Sequence, residues 1–174
     1  SNHWHAVLTD TETRIDEFLC YVHSLVARVL NLNHGRRDGF WSRRPTSLVC
    51  LETADAVMRA LVYVHTNPVK AGLTRSGVEW PGLRGLVTHT TGHTGVQERP
   101  RRFFRYGGPC PLRSRLRLTM PPQFAHAPEA FRAQLQAAVR QRENQVRSAM
   151  KENGKPFMGI SAIRRRRWDT RPPK

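Results

Sequence analysis

Residues 60–73 read Ala-Leu-Val-Tyr-Val-His-Thr-Asn-Pro-Val-Lys-Ala-Gly-Leu. Val57, Leu61 and Val64, assisted by Ala60, recur at helical spacing and predict a helix over residues 54–67. Thr53 caps its start. Pro68 disfavours helical geometry at Asn67, so the spacing predicts an end there or one residue earlier. Asp55, Arg59, Tyr63 and Asn67 are each four apart and form a polar stripe beside the apolar one. A tyrosine hydroxyl with an amide oxygen one turn away could work at one metal site. The plainer reading is a tyrosine half-buried at the helix edge and an asparagine that acts as a stop signal. His65 points away from this stripe and stays outside the candidate site.

Upstream, residues 4–9 read as a short strand ending at Asp10. Side chains alternate along a strand, so His3 and His5 face the same way, roughly 7 Å apart at the backbone. Two imidazoles so placed can share one divalent metal. They can equally be two surface histidines. Residues 11–33 follow as a long helix with Ile15, Phe18, Leu19, Val22, Leu25, Val26, Val29 and Leu30 at spacings of three and four. Thr11 or Thr13 can cap it, and Gly35 stops it. Tyr21 has Leu25 as its i+4 neighbour and reads as packing. The loop 34–45 carries Arg36, Arg37, Arg43, Arg44 and the pair Phe40-Trp41. Residues 46–51 read as a second strand, expected to pair with 4–9 and to carry the helices 11–33 and 54–67 on one face.

Downstream, residues 72–122 are dense in Gly, Pro, Thr, His and Arg. The stretch Arg99 to Arg117 holds seven arginines and no acid. Pro128 suits the first turn of a third helix that Gly154 ends. Its apolar stripe is Phe131, Leu135, Val139, Val146 and Met150. The segments are therefore 1–85 as the main domain, 86–125 as a basic linker, 126–154 as a basic amphipathic helix and 155–174 as a disordered basic tail.

Composition narrows the partner. The chain has 174 residues, 29 Lys plus Arg against 13 Asp plus Glu, and a net charge of +16. Such an excess points to a polyanion, most often nucleic acid. No apolar run reaches the roughly 18 residues of a membrane span. Cys20, Cys50 and Cys110 form no C-x-x-C pair and read as reduced thiols of a cytoplasmic protein. Phe40, Trp41, Phe103, Phe104, Tyr106 and Trp168 lie among arginines, as stacking on unpaired bases would require. Phe40 and Trp41 could also be core.

Taken together, Ser1-Asn2-His3-Trp4-His5-Ala6-Val7-Leu8 and residues 60–73 resemble the two motifs of the HUH single-tyrosine transposases, in particular the REP-associated and insertion-sequence type. Trp80-Pro81 and the Gly39-Phe40-Trp41 loop fit the same pattern, so the resemblance covers about residues 1–85. It implies an α+β domain with a ferredoxin-like antiparallel sheet and helices on one face. Relatives place part of that sheet before the His-x-His strand, so the domain is expected to be incomplete at its N-terminus, with a basic helical extension at the other end. The resemblance implies that His3, His5 and Asn67 bind Mg²⁺ or Mn²⁺. It implies that Tyr63 attacks a scissile phosphate in single-stranded or hairpin DNA and leaves a 5′-phosphotyrosine link. It also implies a homodimer in a prokaryotic, nucleoid-associated setting. Arg36, Arg37, Arg43, Arg44 and Lys70 are the expected DNA-binding residues near that site. The competing readings are a non-catalytic nucleic-acid-binding remnant of such an enzyme and an unrelated basic ribonucleoprotein component.

Overall fold

The computed structural model describes residues 3–42, 46–85, 92, 93 and 95–166. The protein is mixed helix and small sheet, about 49% helical and 4% strand. Among the described residues no helix is long and apolar enough to cross a membrane. The chain forms two compact units. One comprises Ser1–Val7, Leu51–Gly92 and Leu118–Lys174, and the other Leu8–Cys50 and His93–Arg117.

In the first unit, α2 (Ala54–Lys70) begins where Thr53 accepts the Ala56 N–H through its hydroxyl at 3.1 Å. It does not stop at Asn67 as the sequence predicts. It runs through Pro68, which removes only the donor that would have met the Val64 carbonyl. The extra turn buries Val69 completely. The chain then closes with Leu73 N–H on the Pro68 carbonyl and Gly72 N–H on the Val69 carbonyl, both at 2.9 Å. Gly72 takes the left-handed φ of 68° that this ending requires.

The partner of α2 is α3 (Pro128–Glu152). Phe131, Leu135 and Val139 of α3 are buried, and Met58, Leu61, Val62, Met120 and Phe124 pack on them. Phe124 stacks on Phe131 with centroids 4.3 Å apart. Truncating Phe131 to alanine would cost about 3–5 kcal/mol, because the facing side chains could not close the void. Gly154, at φ 62°, ends α3 as expected, and Lys155 N–H returns to the Met150 carbonyl at 2.9 Å. Residues 155–166, expected within a disordered tail, are placed. Met158 and Gly159 donate to the carbonyls of Gly72 and Leu73, and α4 (Ile160–Arg165) follows. Residues 167–174, Trp168 among them, lie outside the described residues.

The second unit holds α1 (Ile15–His34). It starts later than the predicted residue 11, and neither Thr11 nor Thr13 caps it. The Asp10 carboxylate takes that role, accepting N–H groups from Glu12, Arg14 and Ile15 at 3.3, 3.0 and 3.1 Å. The turn holds Thr13 at φ 56°, a left-handed conformation rare for a β-branched residue. Gly35 ends the helix at φ 64°. Among the described residues of this unit only Leu19 is a buried hydrophobic. Hydrogen bonds hold the rest. The Trp41 indole donates to the His23 carbonyl at 2.8 Å and meets the His23 ring at a tilt, with centroids 4.6 Å apart. The Arg99 guanidinium donates to the carbonyls of Tyr106, Gly108 and Cys110.

The predicted strand pair is not formed. Residues 3–9 and 46–52 are irregular, and the strands β1 (Gly92–His93), β2 (Gln97–Glu98), β3 (Arg113–Ser114) and β4 (Arg117–Leu118) have two residues each. β2 and β3 are antiparallel, Gln97 opposite Ser114. Leu48 and Val49 are exposed, so residues 46–51 gain no buried face to pair over. A two-stranded ribbon without such a face is marginal in water. Helix 54–67 packs on α3 instead of on a sheet.

Candidate active site

The polar stripe of α2 is built as its spacing requires. Arg59 and Asp55, one turn apart, form an ion pair at 2.7 Å. Tyr63 stands one turn further on, 40% exposed, so it is not a core tyrosine. Asn67 lies half-buried one turn beyond it. Lys70 completes the row, its Nζ 5.3 Å from the centroid of the Tyr63 ring. A cation so placed attracts the ring face and also any anion brought to the hydroxyl.

The N-terminal residues reach the same place. His5 meets Tyr63 edge-on, with centroids 5.1 Å apart and planes at 84°. His3 in turn meets His5 at 4.9 Å and 80°. The two imidazoles are thus adjacent even though residues 3–9 form no strand. His3, His5 and Tyr63 form a chain of ring contacts, and Asn67 is placed by helix register. Burial pushes the His5 pKa down, and repulsion from His3 adds to this. Both effects favour the neutral imidazole, the form whose lone pair can ligate a metal. Among the described residues no cluster of three or more His, Cys, Asp and Glu occurs. The adjoining His3 and His5 imidazoles offer two nitrogens, and Asn67, one turn from Tyr63 by helix register, is the candidate amide donor. That set leaves positions for phosphate oxygens and water, as a divalent ion working on a phosphodiester needs.

The other candidates fall differently. Lys70 shares a compact unit with Tyr63, whereas Arg36 and Arg37 belong to the other unit. Arg36 pairs with Asp38 at 2.7 Å, and that hydrogen bond raises its pKa. Arg43 and Arg44 lie outside the described residues. Trp41 has its N–H committed to the His23 carbonyl of α1 and its ring in tilted contact with the His23 ring. Tyr21 is exposed rather than packed, its hydroxyl 3.6 Å from Cys110 Sγ, a contact that raises the tyrosine pKa. His65 lies half-buried away from the stripe; burial lowers its pKa and the Glu143 charge opposes this.

Two features were missed in the sequence. Glu143 is buried in the α3 stripe, where Ser76 and Gly77 donate to it. Val146 and Met150, assigned to that stripe, instead line a cleft with Lys70, Arg142 and Lys155. The i, i+4, i+8 spacing of Arg142, Val146 and Met150 was the available signal.

No protein-family model, no curated protein and no solved structure matches this chain. The functional reading therefore rests on the motifs and on the geometry of their residues.

Proposed function

We propose that this chain is the catalytic part of an HUH single-tyrosine transposase acting on single-stranded or hairpin DNA. The observation that carries the reading is the edge-on contact of His5 with Tyr63, continued by His3 on one side and by Lys70 over the ring. The two motifs are separate in sequence, and the contact of His5 with Tyr63 supports reading them as one site. Tyr63 Oη would attack the scissile phosphorus, forming a phosphotyrosine bond as the P–O3′ bond breaks. The phenolic proton leaves Tyr63 and the 3′ oxygen departs as a hydroxyl. The covalent link conserves the phosphodiester for rejoining, which strand transfer needs and hydrolysis does not. Lys70 would hold the phosphate against Tyr63 and stabilise the phenolate. His3, His5 and Asn67 would hold Mg²⁺ or Mn²⁺, which when bound supplies Lewis-acid polarisation of a phosphate oxygen. Two copies would form a homodimer in a prokaryotic cytoplasm.

The irregular course of residues 3–9 and 46–52 favours a second reading, a non-catalytic DNA-binding remnant of such an enzyme. Incubation with single-stranded DNA and Mn²⁺ separates the two. A covalent adduct that shifts the protein on a denaturing gel, and that Tyr63→Phe abolishes, is expected of the enzyme. DNA binding without any adduct would leave the remnant.

A further inference from the structure

The end of α2 and the C-terminal half of α3 enclose a cleft of about 260 Å³. Lys70, Arg142 and Lys155 line it, and no carboxylate does. Val146 and Met150 form an apolar floor, and Gln145 offers an amide at the side. Met150 packs close to Gly72, its Cε 3.2 Å from where a side chain at that position would begin. Lys155 is fixed by its backbone bond to Met150 at 2.9 Å. The volume lies just below the roughly 300 Å³ at which drug-sized ligand pockets begin. Lys70 belongs both to this cleft and to the Tyr63 ring.

We infer that this cleft seats one nucleotide of the DNA strand presented to Tyr63. Arg142 and Lys155 take the flanking phosphates, and the base or sugar lies on Val146 and Met150. The inference rests on the transposase reading for the identity of the strand, and it gives the α3 extension a role in substrate binding. The cations that line the cleft supply the positive groove that tracks a single-strand backbone, and Val146 and Met150 offer an apolar surface to the base or sugar.

The test uses the full chain and a short fluorescent single-stranded oligonucleotide, with anisotropy read between about 50 and 200 mM salt. The Arg142→Gln, Lys155→Gln double variant should bind about tenfold more weakly at low salt. Its slope of log affinity against log salt should be shallower by about 1.4, two phosphates at about 0.7 each. Arg140→Gln, on the opposite side of α3, should change affinity by less than about twofold, as a surface charge away from the contact does. Circular dichroism should show unchanged helicity, because all three side chains are exposed. An iodouracil-bearing oligonucleotide should photocrosslink to the peptide containing Met150. Wild-type affinity and slope in the double variant would overturn the cleft, even if Tyr63 forms its adduct. Weakened binding by the double variant in a chain that forms no adduct would retain the cleft and remove the enzyme.

Discussion

The Glu143 carboxylate accepts the Gly77 N–H at 2.7 Å, joining the middle of α3 to the short turn that follows α2. Ser76 Oγ donates to both of its oxygens, at 3.0 and 3.1 Å, and Arg147 approaches at 3.4 Å. A buried carboxylate so surrounded is held by the donors that replace its water. Glu143→Ala leaves Ser76 and Gly77 without their acceptor and should lower unfolding free energy by about 2–4 kcal/mol. Glu143→Gln keeps one acceptor and should lose less. Equal loss for both variants in urea unfolding would show that the charged carboxylate, not the packing or the single acceptor that glutamine keeps, is what Glu143 supplies.

Gly77 is required by close approach, not by its backbone angles. A side chain there would fall on the His65 carbonyl oxygen, well inside van der Waals contact. That oxygen belongs to α2 and cannot move aside without bending the helix. Gly77→Ala should therefore destabilise by about 1–3 kcal/mol, the usual range for overpacking. Gly95→Ala meets nothing within 4 Å and serves as the comparison. Equal thermal midpoints for the two variants would contradict the approach of the turn to α2.

Much of the helical structure is legible because its signals are local. Thr53, Gly35, Pro128 and Gly154 mark ends by their own chemistry, and three helices follow from apolar periodicity. What fails depends on partners distant in sequence. Residues 4–9 and 46–51 have strand-like composition, but a strand needs a neighbour, which neither their order nor their spacing supplies. Pro68 ends a helix in isolation, yet burial of Val69 carries the chain past it. Glu143 sits in an apolar stripe because Gly77, 66 positions away, donates to it. The His3, His5 and Tyr63 juxtaposition was legible only through a resemblance that joins the two motifs, and Lys70 was a candidate through its nearness to that site in sequence.

Asp10 carries a pH dependence with a definite sign. Hydrogen bonds from Arg14, Glu12, Ile15 and Thr13 backbone groups pull its pKa below the ordinary carboxylate value, that of Arg14 most. A group whose folded pKa is depressed stabilises above its unfolded pKa and loses that contribution as pH falls through the folded value. The start of α1 should therefore loosen below about pH 4. Hydrogen exchange at the Arg14 and Ile15 amides should quicken there once corrected for intrinsic rate, and Asp10→Ala should give the quickened state at neutral pH. Protection of these amides that is indifferent to both changes would remove Asp10 as the cap.

The last expectation separates what His5 does as a ring from what it does as a ligand. His5→Phe keeps an aromatic edge against Tyr63 and deletes both nitrogens, whereas His5→Ala deletes the contact as well. If the nitrogens matter, both variants should lose Mn²⁺ binding in titration calorimetry, and both should form the Tyr63 adduct at least about a hundredfold more slowly. Loss of Lewis-acid stabilisation is worth several kcal/mol, each 1.36 of which is tenfold. If the ring alone positions Tyr63, His5→Phe should keep the adduct and His5→Ala should lose it. DNA affinity at fixed salt should be near wild type in both, because the phosphate-binding cations are untouched. His3→Ala should follow His5→Phe in calorimetry, since the two imidazoles adjoin at 4.9 Å. Full Mn²⁺ binding by His5→Phe would exclude His5 as a metal ligand.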